Sequence, residues 1–273
     1  MVDLQIHTQA TPHHAFWQPD ALAQAAAEAG LTTIAATDHN TMGSVRALIE
    51  AGSRTGVRVV SGVEIDSGFV GKLWHILVYG VAPESTALHA LCESVFSRNL
   101  ADAAALRDEL AAQGFQLPSL ATLGRSANVA DVGTALAHDH TLAGRLAGES
   151  DESAGMRFVL TEMAGSYRPI SVDEIVGVAH TEGGLVVLAH PGRSNGVYAV
   201  PANEADVAAM IEAGIDGIEV YYPAHSAEQQ AFYATLAANH RLLVTGGSDS
   251  HGPIQPLARW PEALVADFLH RVA

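Results

Sequence analysis

The sequence predicts an α/β fold in which helices pack around a mostly parallel sheet. Short apolar runs bounded by turn residues alternate with helical stretches, a pattern typical of successive βα units. The chain has 273 residues, of which 48% are hydrophobic, so it can bury one barrel-sized core and an insertion. This combination of length, composition and alternation argues against a disordered chain.

Apolar runs of strand length occur in seven places. The candidate strands are Val2 to His7, Thr33 to Thr37, Val57 to Val63, Trp74 to Tyr79, Leu185 to Ala189, Gly217 to Val220 and Leu242 to Gly246. Helix signals lie between them: Pro19 near a helix start and Gly30 just beyond its end, and a capping box formed by Ser171 and Glu174. The strands are thus separated by helices, as βα units require.

The strand pattern disappears in the middle of the chain. From about Pro83 to Arg168 the sequence consists of Ala/Leu-rich helical segments and loop-like stretches. We therefore expect a helical insertion subdomain at residues 83–168, between the two parts of a main domain at 1–82 and 169–273.

Charge and cysteine content limit the partners and the compartment. The 30 acidic residues against 14 basic ones give a net charge of -16, which would repel long duplex nucleic acid. The single cysteine, Cys92, cannot form an internal disulfide. No signal-peptide pattern precedes the first strand, and no apolar run approaches the roughly 18 residues of a membrane span. We expect a cytoplasmic protein without a membrane partner.

Side chains that can bind metal recur at the ends of the candidate strands. They are His7, Asp38, His39, Glu64, His190, Glu219, Asp249 and His251. In a barrel these strand ends share one face, where bound cations would offset the mutual repulsion of the carboxylates. Mixed imidazole and carboxylate donors suit manganese, iron or zinc better than calcium. A lone histidine such as His7 or His75 is more often a hydrogen-bonded structural group, so the recurrence carries the prediction.

The same residues stand in an ordered set of motifs. In chain order these are Asp3-Leu4-Gln5-Ile6-His7-Thr8, Thr37-Asp38-His39, Gly62-Val63-Glu64, Trp74-His75-Ile76-Leu77, Ala189-His190-Pro191-Gly192-Arg193, Gly217-Ile218-Glu219-Val220 and Ser248-Asp249-Ser250-His251. The set resembles the PHP (polymerase and histidinol phosphatase) superfamily of metal-dependent phosphoesterases. The resemblance runs through nearly the whole chain and implies a distorted (β/α)7 barrel with a helical insertion.

The resemblance also implies a site for two or three divalent cations, manganese or else iron, zinc or magnesium. One cation would take Gln5, His7, Glu64 and Asp249, and a second would share Glu64 and add His75 and His190. A third would take His39, His251 and a loop ligand, either His13 or the neighbouring His14. Gln5 stands where the family has a histidine, and its amide oxygen is a weaker donor than an imidazole.

Such a site implies phosphate ester hydrolysis by a metal-activated hydroxide. Arg193, three residues after His190, would hold phosphate oxygens, unless it is a surface or helix-start arginine. His225 would contact phosphate or protonate the leaving group. Asp38 and Glu219 would orient the histidine ligands.

The insertion would roof the site and favour a small phosphorylated substrate. The resemblance implies nucleoside monophosphates or 3′,5′-bisphosphates, and the aromatic side chains that could stack on a base are Trp17, Trp74, Tyr221 and Tyr222. Three alternatives remain open: a 5′-end exonuclease on short oligonucleotides, a histidinol phosphatase, or a degenerate, noncatalytic metal-binding domain.

Overall fold

Eight strands form one sheet in the computed structural model, which describes residues 1–11, 15–193 and 201–273. The strands are β1 (Val2–Ile6), β2 (Thr33–Ala36), β3 (Arg58–Phe69), β4 (Lys72–Tyr79), β5 (Ile170–Ser171), β6 (Leu185–Leu188), β7 (Gly217–Tyr221) and β8 (Leu243–Gly246). Their order is β1-β2-β3-β4-β6-β7-β8, and β5 pairs with β3 outside this path. Each of the seven candidate strands corresponds to one of these, and the mixed α/β class is confirmed.

One strand departs from the predicted series of βα units. β4 is antiparallel to both of its neighbours, β3 and β6, whereas the other ladders on the path are parallel. Val70 and Gly71, with φ angles of 49° and 73°, form the tight turn between β3 and β4, as a two-residue hairpin loop requires. β3 also continues to Phe69, well past the predicted end at Val63. Glu64 therefore lies inside a strand and not at its end.

The path of the sheet begins at β1 and ends at β8, and within the described residues no ladder joins these two strands. Backbone hydrogen bonds connect β1 to the segment after β8: Asp249 N–H donates to the Gln5 carbonyl and His7 N–H to the Ser250 carbonyl, both at 2.9 Å. Gly247 permits this approach, because a Cβ there would lie 2.4 Å from the Cβ of Gln5. The closed barrel stays a prediction.

The core lies against apolar strands whose residues are almost all buried. Every residue of β1, β2 and β6 is buried, as expected for a sheet covered on both faces. Val2, Leu4, Tyr79 and Phe268 belong to one cluster, and the Tyr79 hydroxyl donates to the Leu4 carbonyl at 2.7 Å. Each such apolar side chain contributes about 1.5–3 kcal/mol by burial.

Nine α-helices lie in the described parts of the chain. They are α1 (Pro19–Glu28), α2 (Val45–Thr55), α3 (Thr86–Ala112), α4 (Val129–Asp139), α5 (Asp151–Glu162), α6 (Val172–Thr181), α7 (Glu204–Ala213), α8 (Ala227–His240) and α9 (Ala266–Arg271). The capping box of Ser171 and Glu174 is confirmed at the start of α6, and Pro19 is the first residue of α1. Among the described helices none has both the length and the apolar composition to cross a bilayer.

The chain divides into two compact units. The first comprises Met1–Glu93, Ser171–Arg193 and the C-terminal segment that ends at Ala273; the second comprises Ser94–Ile170. In the second unit α4 and α5 cross closely at Gly133 and Gly155, where a Cβ on Gly155 would lie 1.7 Å from the Gly133 carbonyl oxygen. The predicted domain boundaries near 83 and 168 stay a prediction.

Candidate metal centre

Seven of the predicted ligands come together around one side of the sheet in the first unit. They are His7, His39, Glu64, His75, His190, Asp249 and His251. They come from the segments after β1, β2, β6 and β8 and from within the β3–β4 hairpin. Adjacent strands thus bring residues far apart in the sequence into a single cluster.

Glu64 lies at the centre of the cluster and is fully buried. Its Oε1 lies 2.7 Å from Nδ1 of His75 and 3.1 Å from Nε2 of His190, and those two nitrogens are 3.2 Å apart. Its Oε2 lies 2.9 Å from Nε2 of His7. One carboxylate oxygen therefore faces two imidazoles, and the other faces a third.

Asp249 completes the set on the Oε2 side of Glu64. Its Oδ1 lies 3.1 Å from Nε2 of His7. Although two carboxylates are this close, the His7 nitrogen makes no well-aligned hydrogen bond and is fully buried. Asp249 has a φ of 56°, a left-handed conformation that costs energy outside glycine and concentrates at functional sites. The donor atoms converge on a common point, as ligands of a cation do.

Three histidine rings stack beside this point. The ring centroid of His7 lies 4.6 Å from that of His39 and 4.1 Å from that of His251. These three side chains form one candidate cation group; His39, Glu64 and His75 form another, and His7, Glu64 and Asp249 a third. Because the groups share members, they form one continuous cluster.

Asp66 belongs to the cluster although the sequence did not predict it. It lies on the same face of β3 as Glu64 and opposite His75 in the hairpin register. Its Oδ1 lies 3.1 Å from Nδ1 of His39, and its Oδ2 accepts a hydrogen bond from Asn40 at 2.8 Å. The two-residue spacing from Glu64 was the available signal, and it is informative only if β3 continues past Val63.

The cluster shifts the acidity of its members. Burial alone would raise the pKa of Glu64, but His75 and His39 lower it well below its ordinary value. Burial would lower the pKa of His7, yet the adjacent carboxylates of Asp249 and Glu64 raise it to about 10. In the absence of a cation, a proton on His7 thus balances these carboxylates.

The residues present fit divalent cations. The convergent, fully buried Nε2 of His7 has no aligned hydrogen-bond partner, and the neighbouring donors mix imidazole nitrogen with carboxylate oxygen. Manganese, iron and zinc accept this mixture, and a cation would compensate the burial of two carboxylates.

Comparison with known proteins supports the same interpretation. The model of the PHP domain family matches residues 3–143, more than half of the chain. The chain belongs to the PHP family.

Curated PHP relatives span almost the full length of the chain. The phosphoribosyl 1,2-cyclic phosphate 1,2-diphosphodiesterase of Eggerthella lenta is 32% identical and covers 92% of this chain and 94% of its own. The 3′,5′-nucleoside bisphosphate phosphatase of Chromobacterium violaceum is 28% identical, with coverages of 92% and 87%. The 5′-3′ exoribonuclease Rnm of Escherichia coli is 28% identical, with coverages of 91% and 85%.

Solved structures share the fold. A protein from Bifidobacterium adolescentis superposes with a TM-score of 0.69 at 24% identity, covering 99% of this chain and 96% of its own. An amidohydrolase from Chromobacterium violaceum superposes with a TM-score of 0.68 at 22% identity, with the same coverages. At these identities the likeness concerns the fold alone.

Asp38 and Glu219 are linked by hydrogen bonds to histidines of the cluster. Asp38 accepts hydrogen bonds from the hydroxyls of Thr8 and Thr11, both at 2.8 Å, and the Thr11 hydroxyl lies 3.3 Å from Nδ1 of His7. Asp38 thus reaches His7 through one hydroxyl. Glu219 is fully buried and accepts the backbone N–H of His190 at 2.9 Å. Burial and the nearby Asp249 and Glu64 charges raise its pKa well above the ordinary value.

Arg193 and His225 lie near one another but differ in their surroundings. Arg193 is partly buried and is the last residue of a turn, in which its backbone N–H donates to the His190 carbonyl at 3.0 Å. His225 is buried: Nδ1 lies 2.9 Å from the Val220 carbonyl, and Nε2 accepts the Gly192 N–H at 2.9 Å. The predicted phosphate contact or proton transfer would require His225 to leave these two hydrogen bonds.

The predicted aromatic side chains are also placed differently from one another. Trp17 and Trp74 are buried, and Tyr221 packs against Trp260. Tyr222 reaches the cluster, since its hydroxyl lies 3.4 Å from Oδ2 of Asp249. Nε2 of Gln5 donates a hydrogen bond to Oε2 of Glu64 at 2.9 Å. His13 and His14 lie outside the described residues, so the loop ligand stays a prediction.

Proposed function

We propose that this chain hydrolyses phosphate monoesters of small nucleotides, nucleoside monophosphates or 3′,5′-bisphosphates, with two or three divalent cations held by the buried cluster. The chain is an enzyme, a metal-dependent hydrolase of phosphoric esters. The most direct support comes from the position of Glu64. One of its oxygens faces two imidazoles and the other faces a third, at 2.7–3.1 Å. A carboxylate in that position suits a bridge between two cations.

The shared members of the cluster support two cations, or three with a further ligand. His7 and His39 each belong to two of the candidate groups, so the groups cannot all be filled without a further donor from elsewhere. Two cations use the described residues, and a third requires the loop ligand, His13 or His14. We propose manganese as the metal, because it accepts both nitrogen and oxygen donors.

The side chains around the cluster provide the remaining chemistry. Bound divalent cations supply an acidified water and neutralise charge on the phosphoryl group. Arg193 orients the nonbridging phosphate oxygens from the partly buried turn after β6. Burial raises the pKa of Tyr222, so its hydroxyl stays protonated and can donate a hydrogen bond beside Asp249.

Small nucleotides are favoured by charge and by the relatives. A net charge of -16 opposes binding of a polyanion. The relative from Chromobacterium violaceum is a phosphatase of 3′,5′-nucleoside bisphosphates. A specific observation also favours a second candidate substrate, a ribose cyclic phosphate diester, because the Eggerthella lenta relative that acts on such a compound is 32% identical over 260 residues.

Phosphate release from a substrate panel tests the proposal. Chelator-treated protein is reloaded with Mn²⁺, its cation content is measured, and it is incubated with a nucleoside monophosphate, a 3′,5′-bisphosphate, a ribose cyclic phosphate, histidinol phosphate and a 5′-phosphorylated oligonucleotide. We expect phosphate from the mononucleotides, with the bisphosphate as the best substrate. Turnover confined to the cyclic compound would support the second candidate, and progressive shortening of the oligonucleotide would identify an exonuclease. Cation-loaded protein that converts none of the five compounds would support the noncatalytic alternative.

A further inference from the structure

We propose that Gln5 serves as a hydrogen-bond donor that fixes Glu64, and that it leaves a coordination position beside His7 and Asp249 open to water or to a phosphate oxygen. The inference rests on the proposed cation cluster. In this role Gln5 is not itself a ligand, and the cation beside it is bound by His7, Glu64 and Asp249.

The contact between Gln5 and Glu64 determines which end of the amide faces the cluster. Gln5 is fully buried in β1, and its Nε2 donates to Oε2 of Glu64 at 2.9 Å. The reversed amide would bring two hydrogen-bond acceptors to that distance. The amide nitrogen has no lone pair to offer a cation, so Nε2, which faces Glu64, cannot be a ligand. Oε1 is buried without a hydrogen-bond partner, and in this proposal it accepts a hydrogen bond from water at the open coordination position.

The backbone holds Gln5 in this position from the opposite side. Its carbonyl accepts the Asp249 N–H at 2.9 Å, and Gly247 packs so closely that a Cβ there would lie 2.6 Å from the Gln5 nitrogen. The main chain at Gln5 is therefore fixed, and the amide can leave Glu64 only by rotation of the side chain. An amide released from Glu64 would also leave its N–H groups buried without a partner, which costs about 1–3 kcal/mol.

The two oxygens of Glu64 have different partners. Oε1 faces His75 and His190, while Oε2 accepts the hydrogen bond from Gln5 and also lies 2.9 Å from Nε2 of His7. Among the described residues, a cation held by His7, Glu64 and Asp249 has three protein ligands. For zinc, three protein ligands and an open position are the usual arrangement of a catalytic site, whereas four close a structural one.

Cation titration of three variants tests this assignment. Gln5→Met keeps the size of the side chain but removes both donor and ligand, Gln5→His introduces a potential fourth ligand, and Asp249→Asn weakens an existing ligand as the matched control. Binding of Co²⁺ is followed by visible absorption, which reports the coordination number, and metal content is measured independently by mass spectrometry.

We expect Gln5→Met to bind as many cations per chain as the parent protein, with affinities within about threefold. Gln5→His should tighten the weakest-bound cation about tenfold, equivalent to about 1.4 kcal/mol, and change its absorption bands. Asp249→Asn should lose one cation. If Gln5→Met also loses one cation, the amide oxygen is a ligand and the inference is wrong.

A measurement on the parent protein keeps the inference testable if Gln5→Met does not fold. The side-chain amide protons of Gln5 should exchange slowly with solvent, and should remain protected after Zn²⁺ is added, because the bond to Glu64 persists. Loss of protection on Zn²⁺ binding would overturn the inference. A parent protein that binds no divalent cation would instead contradict the proposed function, so the two failures are distinguishable.

Discussion

The carboxylates of the second unit pair with arginines near solvent, whereas Glu64 in the first unit is buried among imidazoles. In the second unit Arg145 pairs with Asp151 and Arg125 with Asp131 at 2.6 Å, and the side chains keep between 17% and 34% of their exposure. In the first unit Glu64 has no exposure, and the partners within 3.1 Å of its oxygens are imidazoles and one amide.

The difference lies in whether the charges of each region are compensated within the protein. Arginine–carboxylate pairs near solvent are complete in themselves, and each contributes little. Buried carboxylates faced by imidazoles are costly unless another charge compensates them. The first unit therefore accepts an unfavourable arrangement that a cation relieves, a pattern expected where function overrides folding.

Removing the central charge should have the largest effect. Glu64→Gln takes the shared oxygen ligand from both sides of the cluster, so we expect phosphate release to fall by about a thousandfold and cation content to fall with it. The measurements are kcat/KM and metal analysis. Asp151→Asn makes the same kind of change in the second unit, and it should leave both quantities unchanged.

Arg193→Ala should affect the substrate and not the cations. Loss of the guanidinium should lower kcat/KM by about a hundredfold, mainly through KM, while cation content stays that of the parent protein. Arg193→Lys should recover part of the loss, because a point charge replaces a bidentate group. Equal activity of all three proteins would assign Arg193 to the surface.

Cation affinity should depend on pH through His7. Its pKa in the cation-free protein is raised to about 10, so at neutral pH a cation must displace a proton. Affinity should therefore rise by about tenfold per pH unit up to that value. Calorimetry in buffers of different ionisation enthalpy should detect about one proton released; no release would mean that His7 binds its cation already neutral.

The smallest effect is expected in the second unit. The hydrogen bond from Arg145, with a further one from His138, lowers the pKa of Asp151 below its ordinary value of 3.8. A carboxyl group of this kind stabilises the fold above its unfolded pKa and loses that contribution as the pH falls below it. Asp151→Asn should lower the thermal midpoint only slightly at pH 7, and the difference should vanish in acid. A large loss at pH 7 would remove the contrast between the two units.

The sequence predicted the positions of the strands because their apolar runs are short and bounded by turns. It placed the end of β3 at Val63 because the next polar residues, Glu64 and Asp66, resemble a loop when their partners are unknown. In the structure they line a buried polar face, and the hairpin at Val70 and Gly71 brings β4 across from them. Hydrophobic patterns cannot identify a strand whose buried face is polar.

Residue type could predict the members of the cluster but not how each one is bonded. Residue type alone does not distinguish His225, which uses both ring nitrogens within the protein, from His190, which faces Glu64. The contact of the Gln5 amide with Glu64 likewise depends on a side-chain orientation that spacing does not specify.

The turn that carries Arg193 is held by α8, a helix of the same unit. Gln229 of α8 donates to the Gly192 carbonyl at 2.7 Å, and Tyr233 donates to the Pro191 carbonyl at 3.0 Å. Substitutions along α8 can thus shift the arginine without altering any residue that faces the cations. A change in α8 would therefore reposition the proposed phosphate contact while the cation ligands stay in place.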